Sequence, residues 1–191
     1  MQSDLIEIRW HARAGQGAVT AAELIAQTAL SEGKYIQAMP EYGPERTGAP
    51  LKAYNRVSKD PIEIHNNITS PDVVIILDDT LIETTDVLDG LKEGGKVLVN
   101  TRLCLEDMQE KLKLPKGISL AVVPATDIAL DCIGRDIPNA PIAGALAKFA
   151  SVISIDNLKD HVKTSFSKKF SEKVVNGNLE AIQMAYEDVI F

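Results

Sequence analysis

Hydrophobic and polar positions follow two rhythms along this chain. A strand-length apolar segment, Leu5 to Trp10, gives way to a polar bend and then to an alanine-rich stretch, Ala18 to Ser31, in which Ala22, Ile25 and Ala29 recur at helical spacing. Gly33 stands where a left-handed cap is favoured and closes that helix. Tyr35 to Met39 predicts a second strand. Leu51 to Val57 alternates apolar with polar residues, Ser58-Lys59-Asp60-Pro61 forms a turn, and Ile62 to Ile64 is expected to return antiparallel as a half-exposed hairpin. Val73 to Leu77 is a continuous aliphatic run between Pro71-Asp72 and Asp78-Asp79, as in a central strand covered on both faces. Val97 to Val99 and Ile118 to Val123 predict two further parallel strands, with helices at Leu103 to Leu112 and Ala125 to Cys132. Beyond Pro138 to Pro141 the strand signal stops. Ile142 to Ser151, Leu158 to Phe170 and Glu172 to about Ile190 read as helices, the last interrupted near Asn176-Gly177-Asn178.

This order predicts one α/β domain over residues 1–191, with a mostly parallel central sheet, an antiparallel hairpin and a C-terminal helical segment over 142–191. A ligand site, if present, lies outside the carboxyl ends of the strands, at His11 to Gly17, Pro40 to Gly48, Asp78 to Thr80, Asn100-Thr101 and Pro124 to Thr126. Composition narrows the choice of ligand. The net charge of −7 argues against a nucleic-acid surface, so any anion site is local. No apolar run approaches the roughly 20 residues of a membrane span. The polar N-terminus carries no secretory pattern, so a cytoplasmic location is expected. Cys104 and Cys132 are isolated and expected in the core, too few for an iron–sulfur cluster. The scattered His11, His65 and His161 predict no metal site.

Two loops carry candidate chemistry. In Arg13-Ala14-Gly15-Gln16-Gly17, the glycines permit positive φ and close backbone approach, and the following helix offers free N–H groups and the positive end of its dipole, which suits a phosphate. The same glycines also serve a plain strand-to-helix turn. A dinucleotide fingerprint needs a third glycine where Thr20 stands and an acid near Gln37 to Pro40, and no Gly-Lys-Ser/Thr follows the loop. The second loop, from Pro40 to Arg56, concentrates glycine, proline and charge. Arg46 suits a bidentate phosphate or carboxylate clamp and Tyr42 an adenine or a subunit contact, although a proline-stiffened surface loop with Arg46 paired to Glu41 or Glu45 fits as well. No catalytic constellation appears: Asp78-Asp79 reads as a strand-end cap or turn, Trp10 as core and His11 as a hydrogen-bonded loop residue.

The Arg13 to Gly17 loop after a first strand, Pro40-Glu41-Tyr42-Gly43-Pro44-Glu45-Arg46-Thr47-Gly48 after the second, and Pro71-Asp72-Val73-Val74 opening the central strand together resemble the gamma subunit of 2-oxoacid:ferredoxin oxidoreductases. The likeness spans nearly the whole chain, departing where the family usually has glycine in place of Ala12 and Ala14. Glu45 to Pro50 is similar to the pyruvate and branched-chain versions. The resemblance implies a three-layer α/β domain within an enzyme that converts a 2-oxoacid and coenzyme A to acyl-CoA and carbon dioxide while reducing ferredoxin. It implies thiamine diphosphate between alpha and beta subunits and iron–sulfur clusters in delta and beta. Coenzyme A would be held here by Gly15, Gln16 and Gly17, with Arg13 or Arg46 supplying charge and Tyr42 packing on the nucleotide or on a partner. An assembly subunit without a ligand and a free-standing dinucleotide-dependent oxidoreductase are the alternatives.

Overall fold

The structure, a computed structural model, describes residues 4–41 and 48–191. Six strands form one sheet in the order β2-β3-β1-β4-β5-β6: β1 (Ile6–Arg13), β2 (Tyr35–Glu41), β3 (Pro50–Ser58), β4 (Val73–Ile76), β5 (Lys96–Asn100) and β6 (Ser119–Val123). β1, β4, β5 and β6 run parallel, whereas β3 pairs antiparallel with both β1 and β2. The helices are α1 (Ala18–Ser31), α2 (Leu105–Leu112), α3 (Ala125–Ile133), α4 (Asn139–Ala150), α5 (Ile155–Phe166) and α6 (Glu172–Asp188). The fold is therefore the expected α/β sandwich with an antiparallel hairpin.

The two sheet faces differ. Ile8, Trp10 and Ala12 of β1, with Val73, Ile75, Leu98 and Val123, pack against α1 and α3 to α6 in the larger core. Because successive side chains alternate sides, Val74, Ile76, Val97, Val99 and Val122 face the other way, onto Leu81, Met108 and Leu112. That second face is apolar beneath α2, but the β1–β3–β2 half presents Arg9, His11, Tyr54 and Arg56 instead. Trp10 is in the core, as expected, and its Nε1–H donates to Asn55 Oδ1 at 2.7 Å while Asn55 Nδ2 donates to the Ala22 carbonyl at 2.9 Å, fixing α1 on the sheet.

Four expectations change. Ile62 to Ile64 is not a strand: β1 and β2 occupy both edges of β3, so the segment has no free ladder to join, and the Ile64 carbonyl instead accepts from Gln37 and Arg56 side chains. The hairpin is β2–β3. α6 runs unbroken through Asn176-Gly177-Asn178, since Gly177 lets the helix press against the Cys132 carbonyl, where a Cβ would sit 2.4 Å away. β1 continues to Arg13 because its ladder with β3 extends to Pro50, which makes His11 a buried strand residue. Neither cysteine belongs to the fully buried core: Cys104 is exposed at the start of α2, where the chain has left the sheet, and Cys132 is half-buried.

Candidate functional site

The carboxyl ends of β1, β4 and β5, together with that of β2, lie along one rim of the sheet. At this rim β1 passes through the glycine bend into α1. Gly15 and Gly17 both adopt left-handed φ, 106° and 80°. Gly17 is the N-cap of α1 and offers no capping side chain. The N–H groups of Gly15, Gly17 and the first turn of α1 have no hydrogen-bond partner among the described residues, leaving the orphan donors of a helix start open to an acceptor. A side chain at Gly15 would meet nothing within 4 Å, whereas one at Gly17 would meet Asn139 at 3.1 Å.

The rest of the bend is stapled from within. The Ala14 N–H donates to the Ala49 carbonyl at 2.9 Å and the Gly48 N–H to the Ala14 carbonyl at 3.2 Å, holding the bend against the start of β3. The Gln16 N–H donates to the Arg13 carbonyl at 3.1 Å, and its side chain both accepts from the Arg13 N–H at 2.8 Å and donates to Asp78 Oδ2 at 2.9 Å. Gln16 is thus a brace, and its own amide is already engaged, in contrast to the expected ligand donor. Arg13 is a second brace: its guanidinium donates to Asp78 Oδ2 at 3.1 Å, the Gly48 carbonyl at 3.2 Å and Thr80 Oγ1 at 2.8 Å, while remaining partly exposed. Tyr42 and Arg46 lie outside the described residues.

Asp78 and Thr80 complete the arrangement. The Asp78 carboxylate caps the 3-10 turn over Asp79–Glu83 by accepting from the Thr80 N–H at 3.1 Å. Burial pushes its pKa up, but hydrogen bonds from Thr80 and Gln16, and then the Arg13 charge, outweigh this and hold it below the usual carboxylate range. Its neighbour Asp79 turns away to accept from Thr101 Oγ1 at 2.9 Å. The cap reading of this pair is correct, and its position at the end of the most aliphatic strand was the signal for it. The link from Asp78 back to Arg13, 65 residues earlier, had no signal in local spacing.

A sequence profile for pyruvate ferredoxin/flavodoxin oxidoreductase matches residues 7–188. The chain belongs to that family. It is 46% identical over 186 residues to the pyruvate/ketoisovalerate oxidoreductases common subunit gamma of Thermococcus litoralis, covering 97% of this chain and 98% of the relative. It is 43% identical over 183 residues to the pyruvate synthase subunit PorC of Thermotoga maritima, covering 96% and 94%. A crystal structure of pyruvate oxidoreductase subunit PORC from Thermotoga maritima superposes with a TM-score of 0.86 at 40% identity, covering 98% of both chains. The fold is also found in a 2-oxoglutarate:ferredoxin oxidoreductase from Magnetococcus marinus, solved with 2-oxoglutarate, coenzyme A and succinyl-CoA, at a TM-score of 0.79, 20% identity, 97% of this chain and 31% of that one. This family member is accordingly a gamma-type subunit of a multi-subunit 2-oxoacid:ferredoxin oxidoreductase. No helix among its described residues is long and apolar enough to cross a membrane.

Proposed function

We propose that this gamma-type subunit supplies the coenzyme A phosphate site of its complex, and that alpha, beta and delta subunits carry thiamine diphosphate, the iron–sulfur clusters and the redox chemistry, with pyruvate as the preferred oxoacid. One observation carries the reading. Gly17 starts α1 in a left-handed conformation with no side-chain cap, and the amides of Gly15, Gly17 and the first helical turn have no partner among the described residues, on a bend that Arg13, Gln16 and Asp78 brace. Such a preformed set of donors at the positive end of a helix binds a phosphate without reorganisation. Arg13 adds a positive charge beside the bend although Asp78 partly neutralises it, so Arg46 and Tyr42, known here from sequence alone, are assigned the outer contacts. The thiol end of the carrier would then have to reach thiamine diphosphate held by another chain, which would supply the decarboxylation chemistry.

The internal ties of Arg13 equally suit a bend that docks a partner subunit without a ligand. Isothermal titration of coenzyme A into the assembled complex separates the two. On the ligand reading Arg46→Ala lowers affinity about tenfold, in line with the loss of one charge-assisted contact, while the complex stays assembled. Unchanged affinity removes Arg46 from the site, and absence of any coenzyme A contact with this subunit leaves assembly as its role.

A further inference from the structure

On the polar half of the second sheet face, away from α1, His11 and Lys52 line a cleft of about 120 Å³ together with Glu41, Leu51, Leu81 and Thr85. The chemistry of this cleft is set from below. Arg9 is 4% exposed, and its guanidinium donates to the Val87 carbonyl at 3.0 Å and the Asp89 carbonyl at 2.6 Å. Its Nε–H donates to His11 Nε2 at 3.0 Å. No carboxylate bonds to it among the described residues; Asp86 and Asp89 act on it only from a distance. Buried arginine is normally paired, so this cation leaves the neighbourhood electrostatically open to an anion.

The same contact fixes the state of the histidine. With Nε2 accepting from a permanent cation, the ring is neutral and its proton sits on Nδ1. His11 is 2% exposed, and Nδ1 has no partner among the described residues, whereas every side-chain nitrogen and oxygen there that is fully shielded has one. The Nδ1–H edge is therefore the part of the ring that reaches the cleft. Lys52 sits directly opposite His11 across the β1–β3 ladder and forms no ion pair with a described residue. The acid on the rim, Glu41, accepts from Tyr54 Oη at 2.6 Å. Among the described residues, the Lys52 ammonium and the His11 Nδ1–H edge thus share the cleft with the Glu41 carboxylate, with Arg9 behind the His11 ring and Leu81 as an apolar wall. At about 30 Å³ for a water in the liquid, the space holds roughly four waters, the bulk of a short organic acid.

We propose that this cleft is a binding site for a short-chain carboxylate, its oxygens on His11 Nδ1–H and the Lys52 ammonium and its tail against Leu81. The site is independent of the coenzyme A reading, being on the opposite face of the sheet from α1. Selectively 15N-histidine-labelled full-length chain, titrated with [1-13C]propionate or [1-13C]pyruvate, tests it directly. The expected result is a saturable shift of the His11 Nδ1 resonance, with a dissociation constant in about the millimolar range appropriate to so few atoms. Lys52→Met is expected to weaken it about tenfold or more, Thr85→Phe to block it by filling the cleft, and Lys59→Met to leave it unchanged. A shift that chloride reproduces at equal concentration, that persists undiminished in Lys52→Met, or that fails to saturate overturns the proposal. Backbone amide spectra of each variant establish that the fold is retained.

Discussion

Gly17 carries two constraints at once: a φ of 80° and a neighbour, Asn139, that a Cβ would meet at 3.1 Å. Gly15 carries only the first, at φ 106° with open space around it. Gly15→Ala is therefore expected to cost about 1 kcal/mol of stability from backbone strain alone, and Gly17→Ala more, about 2 kcal/mol or above. Urea unfolding of the two variants checks the order, and equal losses would mean that Asn139 simply moves aside. His11 makes a pH-dependent prediction. Burial first, and then the Arg9 and Lys52 charges, lower its pKa from 6.5 to about 3. Above pH 6.5 the folded and unfolded imidazoles are both neutral and the contribution is fully present. As pH falls from 6.5 towards 3 only the unfolded chain takes up the proton, and stability drops by at most about 1.4 kcal/mol per pH unit. A His11→Gln variant lacks this titration, so the stability gap between it and the parent chain should shift in the variant's favour between pH 6.5 and 4; a constant gap in denaturant midpoints contradicts the assignment. The glycines were legible as a strand-to-helix bend, but the tie from the Gln16 side chain to Asp78 was not, because Asp78 arrives from distant sequence.

Among the elements, α1 reads from sequence to the residue, since an alanine-rich helical stripe between two left-handed glycines leaves little choice of boundary. β4 is almost as plain, because a strand buried on both faces must be aliphatic throughout. Ile62 to Ile64 misleads for the converse reason: its residues favour a strand, but pairing is a property of the sheet, and β3 has no edge to offer. Gly177 of α6 misleads similarly, since a helix breaker in sequence is a close-packing device in the fold. Gly144 lies where α4 crosses α6, and a Cβ there would sit 2.3 Å from the Ile182 carbonyl oxygen. Gly144→Ala is thus expected to destabilise the chain by about 1–3 kcal/mol, although helix propensity alone favours alanine by about 1 kcal/mol. A rise in melting temperature would show that the two helices are not held at this distance.

At the scale of the whole molecule, the division between faces organises everything else. One face carries the large core and presents the open start of α1 at the rim; the other is apolar beneath α2 and polar over β1, β3 and β2. The rhythm of strands and helices made the sandwich legible, whereas the layer on which each polar residue sits depended on the register of β3 between β1 and β2. On the proposed reading a subunit built this way holds a carrier, and that role is read in the assembled enzyme. The most direct test is a structure of the assembled complex with coenzyme A bound. The pyrophosphate oxygens are expected within about 3 Å of the Gly15, Gly17 and first-turn α1 amide nitrogens; coenzyme A seated away from this bend, with those amides facing solvent or a partner's backbone, would contradict the account.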